Sequence, residues 1–396
     1  MSDFDIIKST DMLDIASPTG KMIDGKKEYL LNANLIKPII LYSPSTLGNS
    51  IKYNGKDLIS HINASLSTNS KPKVWYEVDS TRHPFGSSSI QSICYGDGKF
   101  VAVGGGGKIA YSIDGINWTE ADSPFGSSSI DSICYGDRKF VAGGSGGKIA
   151  YSINGINWTE ADSPFISKTF IESICYGNGK FVAVGWYTTS IGLNDYLPQG
   201  TMAYSTDGVN WTSIDSSPFG SYYIYSVCYG DGKFVAGGGI PSMTITQNRP
   251  GNIPPTTVTI DARAKMAYST DGITWTEVDS TFGSSRIYSI YHGNGKFVAG
   301  GTDGKMASST DGSNWTEVDS PFGSSGIHST YYGNGNFIAG GGSGKMAYSS
   351  DGITWTAVAD SAFGSSTILS ICYGNRRYVA VGGEGKMAYC QVGIPE

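Results

Sequence analysis

A short motif repeats seven times in this chain, and no other feature limits the fold as strongly. The first copy reads Ile-Gln-Ser-Ile-Cys-Tyr-Gly-Asp-Gly-Lys-Phe-Val-Ala-Val-Gly. The copies begin at Ile90, Ile130, Ile171, Ile224, Ile287, Ile327 and Ile368. A repeat of this length is one supersecondary unit, which buries its apolar surface only by packing against neighbouring copies. The chain is therefore a repeat array, although its 396 residues would otherwise suggest two or three domains.

Each copy divides into four short strands, which we call a to d. In the first copy, strand a begins at Ile90, strand b at Lys99 and strand c at Lys108, and strand d opens with Trp118. Gly-Asp-Gly and Asp-Gly sequences separate a from b and c from d, and they suit tight turns because Gly and Asp tolerate positive φ. Strand b is almost continuously apolar, which is typical of a sheet covered on both faces. Four strands in a period of about 40 to 45 residues predict an all-β fold, the β-propeller.

The number of strands predicts how the ring closes. Strand a occurs seven times, but the strand d tryptophan follows it only six times, at Trp118, Trp158, Trp211, Trp275, Trp315 and Trp355. The missing strand precedes the first copy, since the segment from Val74 to Ser80 matches the segment from Thr274 to Ser280. We therefore expect a seven-bladed β-propeller spanning residues 73–396, in which the N-terminal strand completes the last blade and leaves no open sheet edge.

The turn between strands c and d carries a resemblance to a known family. The segment from Ser205 to Trp211 reads Ser-Thr-Asp-Gly-Val-Asn-Trp and recurs with small changes in the other copies. It resembles the Asp-box (BNR-like) turn of sialidase-type propellers, shortened by one residue. The resemblance implies that the Asp caps backbone N–H groups and that the Trp packs beneath the turn. Asn154 replaces the Asp in one copy, which a capping role tolerates.

A second resemblance concerns the style of the repeat. The run from Tyr176 to Gly185 (Tyr-Gly-Asn-Gly-Lys-Phe-Val-Ala-Val-Gly) is similar to the glycine- and tyrosine-rich propellers of phage tails and phage-tail-like bacteriocins. This resemblance implies a structural or binding role on a virion or tail-like particle. It rests on composition and not on a site.

Charge and cysteine placement exclude several classes of function. The net charge is −6 and no basic run occurs, so neither nucleic acid nor anionic membrane is favoured as a partner. The acidic N-terminus lacks the pattern of a secretory signal, and we expect synthesis in the bacterial cytoplasm followed by assembly into a particle. Five of the six cysteines occupy one repeat position (Cys94, Cys134, Cys175, Cys228 and Cys372), which places them around a ring, too far apart for disulfides.

Two insertions interrupt the repeat between strands b and c, in the third and fourth copies. In a propeller these b–c loops emerge on the same face as the d–a links, so the insertions predict one raised patch on adjacent blades. The candidate ligand-binding residues are Trp186, Tyr187, Asn194, Asp195, Tyr196, Tyr222, Tyr223, Arg249 and Arg263. Aromatic rings beside amides and carboxylates suit sugar binding, but protein contact and packing between the loops remain open alternatives.

Catalysis is not expected, and neither a cofactor nor a metal site is predicted. A sialidase needs an arginine cluster, a Tyr–Glu nucleophile pair and an acid. Arg249, Arg263 and Arg286 lie near the second insertion, but no acidic partner stands out. The four histidines show no metal-binding spacing, and His328 fits a blade residue better than a ligand.

Residues 1–72 carry none of the repeat and end in a linker-like stretch rich in Ser, Asn, Lys and Pro. We expect this segment to dock onto other tail or baseplate proteins. The sequence thus favours a non-catalytic binding or structural module of a phage tail or tail-like particle that recognises a host surface. A free-standing lectin-like propeller that binds surface glycans is the alternative.

The strand d tryptophans provide a test of this fold. Trp275→Ala should lower the free energy of unfolding by about 3–5 kcal/mol, because truncating a large buried aromatic side chain leaves a cavity. Thermal unfolding of the purified variant measures this loss. An unchanged melting temperature would show that Trp275 lies outside the core.

Overall fold

The computed structural model describes residues 74–190, 196–247 and 256–391, and the backbone of four short strands nearer the N-terminus. The chain divides into two compact units, Met1–Thr68 and Asn69–Glu396. In the first unit, Ala16–Ile23 pairs with Lys26–Leu31, and Lys52–Tyr53 pairs with Lys56–Asp57, both antiparallel. In the second unit, seven four-stranded antiparallel sheets form a seven-bladed β-propeller, as the sequence predicts.

We number the blades 1 to 7 by the order of their strands a. The strands a are Ile90–Gly96, Ile130–Gly136, Phe170–Gly177, Tyr223–Gly230, Ile287–Gly293, Ile327–Gly333 and Ile368–Gly374. The strands b are Lys99–Gly104, Lys139–Gly144, Lys180–Ser190, Lys233–Ile240, Lys296–Gly301, Asn336–Gly341 and Arg377–Gly382. The strands c are Ile109–Ser112, Ile149–Ser152, Tyr196–Ser205, Arg263–Ser269, Met306–Ser309, Met346–Ser349 and Met387–Gln391.

The strands d are Thr119–Ala121, Thr159–Glu160, Thr212–Ser213, Thr276–Val278, Thr316–Val318, Thr356–Ala357 and, in blade 7, Tyr76–Glu77. The helical segments of the described residues are 3-10 turns at Ser80–Arg82, Gly105–Gly107, Thr302–Gly304, Gly342–Gly344 and Gly383–Gly385. In the part of the chain that the structure describes, no helix has the length and hydropathy needed to span a membrane.

The N-terminal strand closes the ring in the predicted register. Tyr76 pairs with Tyr389 and Glu77 pairs with Ala388, and the N–H of Val78 donates to the carbonyl of Met387 at 2.8 Å. Trp75, just before this strand, is buried beside Tyr378 of strand b in blade 7. Residues near both ends of the propeller therefore share one sheet, and the predicted closure is confirmed.

The strands b form the buried core because each blade covers the face of its neighbour. Phe100, Val101, Ala102 and Val103 of blade 1 are all fully buried. Two of them, Val101 and Val103, contribute to a cluster with Ile130 and other apolar residues of blade 2. Both faces of the sheet are thus packed, which explains why strand b does not alternate between apolar and polar residues.

A tyrosine and a glycine interlock at the seams, the contacts between consecutive blades. A Cβ placed on Gly136, at the end of strand a in blade 2, would lie 2.1 Å from the ring of Tyr176 in blade 3. The same contact recurs around the ring as Gly96–Tyr135, Gly177–Tyr229, Gly230–His292, Gly293–Tyr332, Gly333–Tyr373 and Gly374–Tyr95. Glycine is required at this position because the neighbouring ring occupies the space of a side chain.

A serine at the third repeat position joins the inner strands. Strand a has no strand on its channel side, so its inward N–H groups need other acceptors. The hydroxyl of Ser132 accepts from the N–H of Ile174 in the next blade at 2.9 Å. Serine hydroxyls accept from the N–H groups of the next blade in five further pairs: Ser92 with Ile133, Ser173 with Val227, Ser226 with Ile290, Ser289 with Thr330, and Ser370 with Ile93. The last of these bonds links blade 7 to blade 1.

The aspartates of the c–d turns cap backbone N–H groups, as predicted. Asp351 Oδ1 accepts from the N–H groups of Ile353 and Thr354 at 2.8 Å, and Ser349 Oγ accepts from the N–H of Gly352. The bond from Thr354 is the main reason that the pKa of Asp351 is lowered to about 2. Asn154 accepts the equivalent pair of bonds at 2.9 Å, so the turn does not require a charge.

The Gly–Tyr contact predicts a destabilising substitution. Gly136→Ala should lower the free energy of unfolding by about 1–3 kcal/mol, because the added methyl group collides with the base of the Tyr176 ring. Thermal unfolding measures the effect. Gly342→Ala is the control, since its Cβ would have no neighbour closer than 3.7 Å. Equal stability of the two variants would contradict the role of this contact.

Candidate functional site

The b–c and d–a links meet on one face of the propeller, as the sequence predicts. A Cβ on Gly107, in the b–c link of blade 1, would lie 2.1 Å from the carbonyl oxygen of Gly126 in the next d–a link. The seven strands a enclose a central channel, which opens on this face because each strand a begins there. A recess of about 1150 Å³, partly open to solvent, lies at the channel mouth.

One repeat position surrounds this mouth. It is the residue that follows the first Ile of each copy, and we call the set the mouth ring: Gln91, Asp131, Glu172, Tyr225, Tyr288, His328 and Leu369. The next residue is Ser in all seven copies. Positions that hold the blades together are thus nearly constant, whereas the position that faces the recess carries acidic, amide, aromatic, imidazole and aliphatic groups. This divergence marks the mouth as the candidate binding site.

A continuous row of rings borders the recess on blades 3 to 6. We call it the aromatic wall: Phe170, Trp186, Tyr223, Tyr225, Tyr288 and His328. Phe170 stacks on Trp186 with 4.5 Å between ring centroids, and the edge contact of Trp186 with Tyr223 spans 4.8 Å. Tyr223 stacks on Tyr225 at 5.6 Å. The rings cover much of one another, so this part of the wall is a packed surface.

The wall continues into blades 5 and 6. Tyr225 meets Tyr288 edge to face at 5.2 Å, and Tyr288 stacks on His328 at 4.9 Å. The guanidinium of Arg286 lies over the ring of Tyr288, 5.4 Å from its centroid, and hydrogen-bonds with Tyr225. Burial lowers the pKa of His328, and the nearby Arg286 lowers it further, so its imidazole favours the neutral form. The cation of this half of the mouth is therefore Arg286.

The side of the mouth formed by blades 2 and 3 is acidic. Trp186 Nε1 donates to Glu172 Oε1 at 2.7 Å, and the hydroxyl of Ser129 donates to Asp131 Oδ1, also at 2.7 Å. Burial raises the pKa of Glu172 to about 7, and repulsion from Asp131 adds to the effect. Burial also raises the pKa of Asp131. Two carboxyl groups thus share one end of the recess.

Thiols and phenols line the channel below the mouth. Five cysteines occupy the predicted repeat position on strands a, and none of these five forms a disulfide. Tyr291 and Tyr331 take this position in blades 5 and 6, with their ring centroids 4.7 Å apart. Burial raises the pKa of the thiols of Cys134 and Cys228, which keeps them protonated and unreactive at neutral pH.

The two insertions take different forms. In blade 3, strands b and c extend into a long hairpin that pairs Trp186 with Gly200 and ends at the Ser190–Tyr196 pair. In blade 4, Met243–Gln247 and Thr256–Ile260 form a separate two-stranded sheet.

The structure brings together only part of the predicted patch. Trp186 and Tyr223 touch at the mouth. Tyr222 directly precedes Tyr223 in the chain, and the Lys265 ammonium lies 5.0 Å from the centroid of the Tyr222 ring. Tyr187 is half-buried on the blade 3 hairpin.

The other predicted residues lie farther away or outside the described chain. Tyr196 is 56% exposed at the outer end of the blade 3 hairpin, four residue pairs beyond Trp186. Arg263 is exposed and lines a different recess, together with Asp261 and Glu277. Asn194, Asp195 and Arg249 lie outside the described residues.

The prediction from sequence missed most of the mouth ring. His328 lies on strand a of blade 6, as the sequence predicts, and its ring also reaches the mouth against Tyr288. The sequence prediction does not include Asp131, Glu172 or Tyr225. The sequence contains a usable signal for them. All of these residues occupy the second repeat position, which differs between copies although it lies between an invariant Ile and an invariant Ser.

The raised pKa of Glu172 predicts a pH-dependent effect on stability. The pKa of Glu172 in the folded protein, about 7, lies above its ordinary value of 4.5, so ionising Glu172 destabilises the fold. The loss of stability is absent below pH 4.5 and grows as the pH rises through 7. Glu172→Gln should therefore stabilise the protein at pH 8 relative to pH 5, by on the order of 2 kcal/mol. Calorimetry at both pH values measures the difference. The control is Glu160→Gln on an exposed outer strand, and an effect of Glu172→Gln that does not change with pH would contradict the assignment.

No family model and no curated protein matches the chain. Solved structures do match. YCF48 bound to D1 peptide is 16% identical, with 81% of this chain and 96% of that chain covered and a TM-score of 0.57. A catalytically inactive virginiamycin B lyase from Staphylococcus aureus, solved with quinupristin, is 14% identical over 81% and 99% of the chains, with a TM-score of 0.60. The WD40 propeller domain of Doa1 is 11% identical over 81% and 97%, with a TM-score of 0.54. At these identities the likeness shows the fold alone, a β-propeller.

Proposed function

We propose that this chain is a non-catalytic binding module of a phage tail or tail-like particle. The propeller takes its ligand at the channel mouth, and residues 1–72 attach the chain to other tail or baseplate proteins. The ligand belongs to a host surface. The proposal combines a site in the structure with a resemblance in the sequence.

The divergence of the mouth ring carries the binding part of the proposal. The seven copies keep the residues that pack the blades, such as the Ser of the inner strands and the Gly–Tyr pair at the seams. The mouth ring makes none of these repeated contacts, so folding places little restriction on it. Side chains of varied chemistry at such a position are typical of a surface that recognises something.

The long hairpin of blade 3 supports the same site. It brings Trp186 over the mouth, where the indole contacts Phe170 and Tyr223 and donates to Glu172. The base of this insertion contacts the mouth ring and so adds recognition surface where the ring diverges. The YCF48 propeller bound to D1 peptide shows that this fold can present a partner-binding site.

The assignment to a tail particle rests on the sequence. Glycine- and tyrosine-rich copies of the kind that begins at Tyr176 are similar to those of phage-tail propellers. The absence of catalysis is proposed because the polar groups of the mouth are largely engaged with the wall: Glu172 accepts from Trp186, and Arg286 bonds with Tyr225. A free lectin-like propeller would use the same mouth without the attachment through residues 1–72.

The proposal predicts two outcomes in one experiment. Particles purified from the producing strain should contain the full chain, and a chain without residues 1–72 should be missing from them. Particles that carry Trp186→Ala should adsorb to host cells about tenfold less, as expected when an aromatic anchor of a binding surface is removed. Particle composition and adsorption counts are the measurements.

The control variant is Ile153→Ala, which removes an exposed apolar side chain from a c–d turn on the opposite face. It should adsorb like the wild type. A chain that is found only free in solution would contradict the tail assignment. Equal adsorption of the Trp186 and Ile153 variants would contradict binding at the mouth.

A further inference from the structure

We infer that the mouth binds an organic cation, an alkylammonium or guanidinium group of the ligand, between the aromatic wall and the carboxyl groups of Asp131 and Glu172. This inference rests on the proposed function because it assigns a ligand chemistry to the same recess. It adds which end of the recess carries the recognition and what charge the ligand brings.

The open acceptor of the recess is a carboxylate oxygen. Glu172 is partly buried and lines the recess, and its Oε1 receives the indole N–H of Trp186. Within the described residues, Oε2 has no hydrogen-bond partner. Asp131 lines the same recess, and within the described residues its carboxyl group accepts side-chain hydrogen bonds only from the hydroxyls of Ser129 and Ser145. Neither carboxyl group forms an ion pair with a Lys, Arg or His of the described chain, so the recess contains negative charge that no side chain compensates.

The positive group of the mouth is held elsewhere. Arg286 lies over Tyr288 and bonds with Tyr225, on blades 4 and 5, and forms no ion pair with Glu172 or Asp131. The other groups that face the recess from neighbouring blades are the phenols of Tyr225 and Tyr288, the imidazole of His328, and the uncharged Gln91 and Leu369. Burial keeps the imidazole neutral, so it offers no compensation near pH 7. A cation from the ligand is the group that this arrangement lacks.

The wall favours a cation over a neutral sugar. Sugar stacking needs an open ring face. Phe170 covers one face of Trp186, and Tyr223 and Tyr225 stack on each other. The rings therefore serve mainly as a rigid border that removes water from Glu172 and holds its carboxyl group through the indole N–H. A desolvated carboxylate attracts a cation more strongly than one in water does.

A cation would also bind in a pH-dependent manner. Without ligand, burial and the neighbouring Asp131 hold the pKa of Glu172 at about 7, so at neutral pH about half of the molecules carry a proton there. A bound cation favours the ionised form and displaces that proton. Affinity should therefore rise as the pH increases from 5.5 to 8 and fall on acidification.

The experiment uses the full chain and small probes. Butylammonium and butylguanidinium mimic basic side chains, glucosamine presents an amino-sugar cation, and 1-butanol and N-acetylglucosamine are their uncharged counterparts. Binding is followed through the indole N–H resonance of Trp186 by nuclear magnetic resonance, because that proton bonds to Glu172. At pH 8 the alkyl cations should give saturable shifts and the uncharged probes none. Glucosamine is compared with the alkyl cations at pH 7, because its amine loses most of its charge by pH 8. At pH 5.5 the affinity should be about tenfold lower, since most Glu172 is then protonated.

The variants Glu172→Gln and Asp131→Asn should each weaken cation binding at least tenfold, while Glu160→Gln, on an outer strand, should bind like the wild type. Melting curves confirm that each variant is folded. Stronger binding of the alkyl cations indicates a protein partner, and stronger binding of glucosamine indicates an amino sugar; both support the inference. Equal binding of charged and uncharged probes, or full cation binding by Glu172→Gln, would overturn it.

The two proposals fail in different ways. Absence of cation binding together with weaker host adsorption by the Trp186→Ala particles would overturn the ligand chemistry and leave the mouth as the binding site. Cation binding together with unchanged adsorption would support the chemistry and overturn the proposed function.

Discussion

The pairing of one short N-terminal strand with the last sheet is the interaction on which the other contacts of the ring depend. Tyr76 and Glu77 add the fourth strand to blade 7, and Trp75 fills the core beside Tyr378. Each blade buries its faces only against its two neighbours, so an incomplete blade exposes apolar surface on both sides. Joining the beginning and end of the propeller in one sheet also removes the open edges that would invite aggregation.

The seams turn seven separate sheets into one structure by the same few contacts. A tyrosine or histidine ring packs into the space left by a glycine of the preceding blade. Serine hydroxyls accept hydrogen bonds from inward N–H groups across the seams. These requirements explain why the copies resemble one another so closely at those positions. They also explain why the second repeat position, on strand a, varies most: its side chain faces the channel mouth and takes part in neither contact.

The candidate site lies where the variable position of strand a contacts the insertion of blade 3. The blade 3 hairpin carries Trp186 to the mouth, and its indole N–H orients the carboxyl group of Glu172. The stacked rings that follow separate this carboxyl group from the guanidinium of Arg286. The recess thus contains both charges without an ion pair between them, and no side chain of the described residues pairs with its two carboxyl groups.

The sequence alone determined the number of blades, the strand order, the closure through the segment at Trp75 and the capping role of the turn aspartates. The first three depend on local periodicity or on matches between copies, which a single chain displays directly, and the capping role was implied by the resemblance of the turn to the Asp-box. It also indicated Trp186 and Tyr223 as candidates, because both depart from the repeat. The tertiary structure decided which candidates meet: Tyr196 and Arg263 lie away from the mouth, although the sequence grouped them with Trp186. It alone showed that Asp131, Glu172 and Arg286 share one recess. These residues are 41 to 155 positions apart in the chain. They come together because ring closure places equivalent positions around a common axis, and that proximity is a property of the ring and not of any one copy.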